Sequence, residues 1–433
     1  MVNEAYVTAT VIIKELYLTN RVFCSSDYDR CVDYLCDVLP FSRLRYTGSS
    51  KAAEHGWEIH PKWDVKEAWI MKDGELIWDG TQHPLALIAL SAPFRGRVDR
   101  DELKTHLHTV QPDYNNPEAL PFHFRQQYRP WDRDWGFCVP HTLYDALEPG
   151  TYDVYIETRE SEGYIEVLEY THHGQHDEMF VFVAHLDHPG MANDDLSGVA
   201  VGVELFERLR DRDTKFSYRL LIVPEIIGSE YYLQELPDEE RESMIGAVFL
   251  EMLGSDTPLA LQHSVSEDAL VDQALAAALR QHEKSYRSGP FRSIIGNDEI
   301  VWEAHGISMP SLSRFPYPEY HTSDDNLDII STERLTESRA VLESTIQQLD
   351  QQLILKKHFR GVPATGHPKY DLYVDTGAEN DHELQALRNV MDFIPIADGL
   401  IAVADLQRRF EIDEKPLLQY LDRWEETGLV EIL

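Results

Sequence analysis

The sequence predicts an α/β fold: a mixed, mostly parallel sheet flanked by helices, joined by a β-rich module and a C-terminal winged-helix-like module. Three observations predict it. From Phe180 onward, apolar strand-like runs alternate with helical patterns, the signature of parallel pairing covered by helices. Between Trp57 and about Tyr170, short strand-like runs, aromatics and prolines dominate. The last fifty residues read as helix, turn, helix and strand.

Each element follows in chain order. The apolar N-terminal stretch carries Glu4, Lys14 and Glu15, so it is not expected to be a signal peptide. Ser26 to Leu39 reads as a helix, with Tyr28, Val32, Leu35 and Cys36 on one face. "EAWIMKDGELIWDG" is two runs around Asp73-Gly74, a hairpin signal. "PLALIALSAPF" reads as a strand, and "GTYDVYIETRESEGYIEVLEYTH" as two more, turning near Gly163. "MFVFVAHL" is a buried strand. "SGVAVGVELFERL" is a helix with Val199, Val203, Phe206 and Leu209 on one stripe. "FSYRLLIVPE" and "GAVFLEML" are strands, and "GSEYYLQEL" opens a helix. "SEDALVDQALAAALRQH" is a helix with a Ser/Glu start, and "TERLTESRAVLESTIQQLDQQL" is a long closing helix. Residues 357–380 read as an irregular linker. "LQALRNVMDFI", "AVADLQRRF", "EKPLLQYLDRWEETG" and "LVEIL" then build the terminal module.

Composition narrows the function. The chain has 433 residues, 43% of them hydrophobic, and 76 acids against 39 Lys plus Arg, a net charge of −37. Such a chain repels nucleic acid and anionic membrane surfaces. From Asp381 to Leu433 twelve acids face five Lys or Arg, so the terminal module lacks the basic footprint of a DNA reader. It is read as a packing or oligomerisation module, which leaves a homo-oligomer open. The four cysteines form no C-x-x-C pair, and no run reaches the ~20 apolar residues of a membrane span. A cytoplasmic location is expected.

The chemistry concentrates at strand ends, where α/β sheets collect their sites. The first strand of the alternating region ends in His185-Leu186-Asp187-His188, and the following loop carries Asp194 and Asp195. The second strand ends in Glu225 and the third in Glu251. "PYPEYHTSDDN" supplies His321. Imidazoles and carboxylates without thiolate suit Zn²⁺ or a similar divalent ion in a hydrolytic site, with enough ligands for one or two ions.

The motifs "HLD", "ANDDLSG", an acid ahead of "GS", "LEMLG" and "YHTSDDN", in this order, resemble the co-catalytic zinc aminopeptidases. More closely the chain resembles the aminopeptidase-like branch often associated with polysaccharide biosynthesis. "GWEIHPKWDVKEAWI", "HLHT", "WGFC", "PEIIGSEYYL" and "YPEYHTSDDNLDII" extend that resemblance over nearly the whole chain after about residue 20. It implies a zinc-exopeptidase-like domain from residues 1–56 and 171–356, an inserted β-rich domain over 57–170, a linker over 357–380 and a winged helix over 381–433. It also implies roles. His185 would ligate one metal, with Asp187 accepting its second ring N–H. Asp194 would bridge, and Asp195 would shape the turn. Glu251 stands where the family has an aspartate ligand, and His321 would ligate the second metal. Glu225 falls in the region of the family's general base. The family has two adjacent glutamates there; this chain has Pro224-Glu225 alone, which leaves a mononuclear site open.

Several residues keep two readings. His188 is a ligand substitute, a substrate contact or a structural histidine. Tyr317 and Tyr320 are substrate-side donors to an oxyanion or packed aromatics. Asp194-Asp195 also fits a helix N-cap, Asp298 fits either a pocket or a turn, and Trp57, Trp63, Trp69 and Trp78 fit hairpin packing better than a sugar face. The expected function is a cytoplasmic zinc hydrolase, an aminopeptidase-like metalloprotease that uses metal-activated water on a small-molecule or peptide amide. The alternatives are a deacylase of N-acyl sugars or amino acids and a catalytically degenerate metal- or ligand-binding protein.

Overall fold

The computed structural model describes residues 6–48, 51–282, 285–375, 381–397 and 399–433. Glu4 and the last five residues of the expected linker lie outside them. The described chain forms two compact units, residues 1–345 and 346–433.

The first unit is built on an eight-stranded sheet. Its strand order is Ser42–Tyr46, Ile165–His172, Ser217–Val223, Met179–His185, Met244–Glu251, Ser311–Ser313, Ala260–Gln262, Arg287–Gly289. The four central strands, Ser217–Val223 through Ser311–Ser313, run parallel to one another, and antiparallel pairs flank them. The α/β class, with its mixed sheet between helices, is therefore as the sequence predicted. Met179–His185 and Ser217–Val223 are buried at every position. This is the run expected of parallel strands covered on both faces. Val223 pairs with His185, so both strands end at one level and their following loops share one edge.

Helix Leu196–Leu209 departs from the expected single stripe. Twelve of its residues are buried, including Ala200 and Leu205. Helix Ala9–Leu16 packs on its outer side, and Glu204 accepts the Ala9 N–H at 2.8 Å. A helix covered on both sides no longer needs a polar face.

The region between residues 57 and 163 holds its own antiparallel sheet, in the order Glu75–Asp79, Lys62–Lys72, Thr151–Ser161, Phe94–Asp99. The hairpin turns at Asp73-Gly74, where φ is positive at both residues, as a two-residue hairpin loop of this type requires. Trp63 is buried and Trp69 stacks on Tyr155, so these tryptophans pack the sheet. Two expectations are corrected here. The run Leu85–Leu90 is buried but forms no strand; it is core-filling irregular chain, and the strand begins only at Phe94. Short apolar runs do not distinguish these two uses. The runs on either side of Gly163 do not pair with each other. Thr151–Ser161 stays in the smaller sheet, while Ile165–His172 joins the main one. The chain thus re-enters the main sheet near Gly163 rather than near Tyr170.

The second unit centres on an antiparallel three-stranded sheet, Ile401–Ala402, Ile354–Lys357, Val430–Ile432, with helices His382–Phe393, Val403–Phe410 and Glu414–Glu426. Its central strand, Ile354–Lys357, begins inside the range expected for the first domain and ends where the expected linker starts. Leu372 and Val374, expected in a linker, join its core, and the Tyr420 hydroxyl donates to the Leu372 carbonyl at 2.7 Å.

Candidate metal centre

Four chain segments meet at the carboxyl edge of the parallel strands. The loop after Met179–His185 carries Asp187, His188, Asp194 and Asp195. The segment after Ser217–Val223 carries Glu225. Met244–Glu251 ends in Glu251, and the loop after Ser311–Ser313 carries Tyr317 to Asp325.

Asp195 ties these ends together. Its carboxylate accepts the N–H groups of Gly198 at 3.1 Å, Met252 at 2.7 Å and His185 at 3.3 Å. It thereby caps helix Leu196–Leu209, as one reading of the sequence had it. Glycine at 198 is required by this approach: a Cβ there would lie 2.4 Å from Asp195 Oδ1 and 2.5 Å from the Leu250 carbonyl oxygen. The peptide between Asp194 and Asp195 is cis. A second carboxylate, Asp325, receives the N–H groups of Ala192, Asn193 and Asp194 at 3.1, 2.6 and 3.1 Å. Arg21, fully buried, donates to the carbonyls of Leu186 at 2.9 Å and Met191 at 2.6 Å. The loop holding Asp194 is thus fixed from both sides by charged groups.

Inside this frame three imidazoles surround one carboxylate. His185 Nε2 lies 3.2 Å from Asp194 Oδ1. His321 Nε2 lies 3.1 Å and His188 Nε2 3.9 Å from Asp194 Oδ2. The His185 and His188 rings stack with centroids 4.6 Å apart. His185, His188 and Asp194 offer ligand atoms that all fall within 4.8 Å of one another, and all three residues are buried. Asp194 Oδ2, His321 Nε2 and His188 Nδ1 are buried without a hydrogen-bond partner. An unsatisfied buried polar group costs about 1–3 kcal/mol, so Asp194 Oδ2 and His321 Nε2, 3.1 Å apart, call for a common partner. The donor set and these orphaned atoms fit a zinc-like divalent cation.

The electrostatics of Asp194 and His188 agree with that fit, whereas the carboxylates beside His185 favour its cation, which a ligand role would have to reverse. Burial works against an Asp194 carboxylate, but His188, His185 and His321 outweigh it and hold its pKa well below the ordinary value. Burial keeps His188 neutral, its pKa well below normal, as a ligand imidazole must be. Burial also opposes a charged His185, yet hydrogen bonding to Asp194 and Asp298 pushes its pKa well up.

Glu225 sits at the rim. Its Oε2 accepts the Tyr128 hydroxyl and lies 4.0 Å from His188 Nε2. Burial raises its pKa, with the His185 charge and the Tyr128 hydrogen bond opposing. Tyr128 arrives from the inserted region, as do Phe122 and Phe124. Both phenylalanine rings lie 5.3 Å from the His321 ring, and Phe122 lies 5.2 Å from His188. The Phe122 N–H donates to the His321 carbonyl at 2.9 Å, and the Ser323 N–H to the Leu120 carbonyl at 2.8 Å. The insert therefore forms one wall of the site.

Of the residues chosen from sequence, His185, His188 and Asp194 gather within one ligand-sized group, His321 lies against the Asp194 carboxylate, and Glu225 stands beside His188. The other four are placed differently. Asp187 does not accept from the His185 ring; its carboxylate takes the Glu225 N–H at 2.8 Å. The groups on the Nδ1 side of His185 are Asn297 Nδ2 at 3.5 Å and Asp298 Oδ2 at 3.9 Å. Asp187 lies beyond the strand end, so its side chain reaches the neighbouring strand's loop instead. Glu251 is outside the cluster: its Oε1 accepts from Asn297 at 2.7 Å, although its Oε2 has no partner. Tyr317 is buried and donates to Asp325 at 2.6 Å, so its hydroxyl is committed to the scaffold rather than to a substrate. Tyr320 stacks on His321 with centroids 3.8 Å apart.

Arg21, Asn297, Asp325, Tyr128, Phe122 and Phe124 were not singled out from the sequence. Asp325 had a signal, since it lies in the same "HTSDDN" run as His321. Asp298 was weighed there as a pocket or a turn acid. It proves fully buried and accepts from Ser229 Oγ at 2.5 Å and the Ile226 N–H at 3.1 Å.

Known proteins share this architecture. A family described as "Domain of unknown function (DUF4910)" matches residues 10–352. A Clostridium acetobutylicum protein named "Putative polysaccharide biosynthesis protein with aminopeptidase-like domain" is 27% identical over 332 residues, 76% of this chain and 74% of its own. A crystal structure described as a "putative peptidase" from Clostridium acetobutylicum superposes with a TM-score of 0.74 at 22% identity, covering 98% of this chain and 96% of that one. A zinc aminopeptidase from Bacillus subtilis superposes with a TM-score of 0.58 at 12% identity, over 79% of this chain and 95% of its own. At these identities the structural likenesses establish the fold. The aminopeptidase-like resemblance read from the motifs is borne out.

Proposed function

This chain belongs to the family described as Domain of unknown function (DUF4910), and from that premise we propose that it is a metal-dependent amide hydrolase of aminopeptidase-like type. One observation carries the reading: three imidazoles converge on Asp194, and its Oδ2 and the His321 Nε2 facing it at 3.1 Å are buried without a hydrogen-bond partner. His185, His188, Asp194 and His321 would hold a zinc-like ion. When bound there, zinc polarises an amide carbonyl and eases deprotonation of water.

The remaining chemistry falls to this chain's own groups. Glu225 is the base: its carboxylate takes a proton from the attacking water and returns it to the leaving nitrogen. Asp187, by accepting the Glu225 N–H, fixes the backbone from which that carboxylate projects. Tyr128 donates to Glu225 Oε2 and so orients it. Phe122 and Phe124 keep water from the His321 side and present an apolar wall to the substrate. Asp194 stays ionised because its three imidazole neighbours favour the anion.

The substrate class is tested by assaying zinc-supplemented protein against three amide groups: peptides with a free α-amine, N-acyl sugars and N-acyl amino acids. The relative's polysaccharide-biosynthesis name favours including the sugars. Hydrolysis within one group supports the reading, and its loss on chelation ties it to the metal. A second reading, a catalytically silent binding protein, draws on the insert hydroxyl already engaging Glu225. A fully metallated protein that hydrolyses none of the three groups would favour it.

We propose the cytoplasm as the location. The four cysteines are free thiols, and among the described residues no helix is long and apolar enough to cross a membrane. We read the 346–433 unit as a packing or oligomerisation module because its terminal segment is acidic.

A further inference from the structure

Away from the metal-like cluster, a cleft of about 490 Å³ opens between the start of helix Ser26–Val38 and the sheet of the inserted region. Asn20, Asp27, Asp64, Lys66, His83 and Arg159 are among its lining residues. Its size falls within the ~300–1,000 Å³ usual for small-molecule sites.

The distribution of bonding partners in this cleft is uneven. Asp64 and Arg159 stand opposite each other in the antiparallel ladder, which puts their side chains on one face. An ion pair would be the ordinary outcome there. Instead Asp64 turns to Ser26, accepting its N–H at Oδ1 and its hydroxyl at Oδ2, each at 2.8 Å. Asp27 accepts the Asn20 N–H at 2.8 Å and pairs with Arg30 at 3.1 Å. The acids are committed within the fold. The side chains of Lys66, the extra residue of a β-bulge between Val65 and Glu67, and of Arg159 have no hydrogen bond, ion pair or ring contact among the described residues. Bulges commonly re-aim side chains in this way. His83 accepts the Leu85 N–H at Nδ1, 3.0 Å away, so its ring proton lies on Nε2 and adds a neutral donor to the wall. Two uncommitted cations at one concavity stand out in a chain of net charge −37.

We propose that this cleft binds a small molecule bearing a carboxylate or phosphate group, held by Arg159 and Lys66, with the His83 ring N–H as a further donor. Guanidinium is the side chain best shaped for either oxyanion. The cleft's wall also backs the metal-site loop. A Cβ at Gly190, two residues after His188, would lie 3.0 Å from His83 Cε1 and 3.1 Å from Pro84 Cβ.

The test is calorimetric titration of the full-length protein at low ionic strength with inorganic phosphate, D-glucuronate and neutral D-glucose. It is run on the parent, on Lys66→Gln/Arg159→Gln and on Lys66→Glu/Arg159→Glu. Both positions are exposed, so the variants should fold, which their unfolding midpoints check. The parent should bind phosphate or glucuronate saturably at one site and glucose not at all. The glutamine variant should bind about tenfold more weakly or worse, and charge reversal should abolish binding. Preference for phosphate assigns a phosphoryl group, and preference for glucuronate a carboxylate. Absence of saturable anion binding by the parent, glucose binding as tight as glucuronate binding, or unchanged affinity in the glutamine variant would overturn the proposal. None of these outcomes depends on the hydrolase reading.

Discussion

His321 Nε2 and Asp194 Oδ2 lie 3.1 Å apart, close enough to hydrogen-bond, yet neither has a hydrogen-bond partner. At that distance it is their orientation, not their separation, that keeps them unbonded. His185 Nε2 reaches the other oxygen of the same carboxylate at 3.2 Å. The donor set around Asp194 fits a divalent cation, and the predictions below follow from that proposal.

Asp325 sets the backbone of the residue that the imidazoles surround, through three N–H groups and the Tyr317 hydroxyl. Asp325→Asn replaces an acceptor-only carboxylate with a group that turns one N–H₂ toward donors. Metal affinity should fall about 10–100-fold, the usual cost of losing such a support. Competition with a fluorescent zinc chelator measures it. Unchanged affinity would show that the loop holds its shape without this carboxylate.

The same variant predicts a change in pH dependence. Burial, despite its four donors, pushes the Asp325 carboxyl from an ordinary value of 3.8 up to about 7. A carboxyl raised on folding contributes stability that is complete below about pH 4 and is lost as the pH rises to about 7. Asparagine cannot titrate. In chelator-treated protein, urea unfolding between pH 4 and 7 should show a shallower decline for Asp325→Asn, by up to about 1.4 kcal/mol per pH unit. Parallel curves for parent and variant would contradict the assignment.

Gly198→Ala would bring a Cβ to 2.4 Å from Asp195 Oδ1 and 2.5 Å from the Leu250 carbonyl oxygen. The neighbouring atoms belong to a cap and a central strand, so neither yields easily. Stability should drop by about 1–3 kcal/mol, read from the shift in denaturant midpoint. A midpoint within error of the parent would mean the helix start relaxes freely.

Much of this architecture was legible because its causes are local. Parallel strands buried on both faces are continuous apolar runs, and those runs ended in His185, Glu225 and Glu251. Hairpin chemistry at Asp73-Gly74 was equally local. What escaped reading depends on chain crossings. Tyr128 meets Glu225 from 97 positions away, and Phe122 and Phe124 come from the same distant segment. Asp187 is expected from the resemblance to hold the His185 ring, but Asp298 and Asn297 stand on that side of it. Whether a carboxylate two residues past a strand end turns back to its own strand or across to the next is set by packing, and here it crosses to Glu225. Leu85–Leu90 shows a related limit, because an apolar run buries as well in irregular chain as in a strand.

Glu225→Gln keeps the size of the side chain and its contact with Tyr128 but removes the basic group. If Glu225 moves the proton, turnover should fall about 10²–10⁴-fold while bound metal is unchanged. Metal lost together with activity would make Glu225 a ligand. Turnover equal to the parent's would remove it from the mechanism.

Metal content tests the central claim most directly. Elemental analysis of the purified protein, with His185→Ala/His321→Ala as its comparison, should find one or two equivalents of zinc or a similar divalent ion in the parent. It should find almost none in a double variant that remains folded by its unfolding transition. Full metal in the double variant, or a folded parent that takes up no divalent ion when zinc is supplied, would contradict the account.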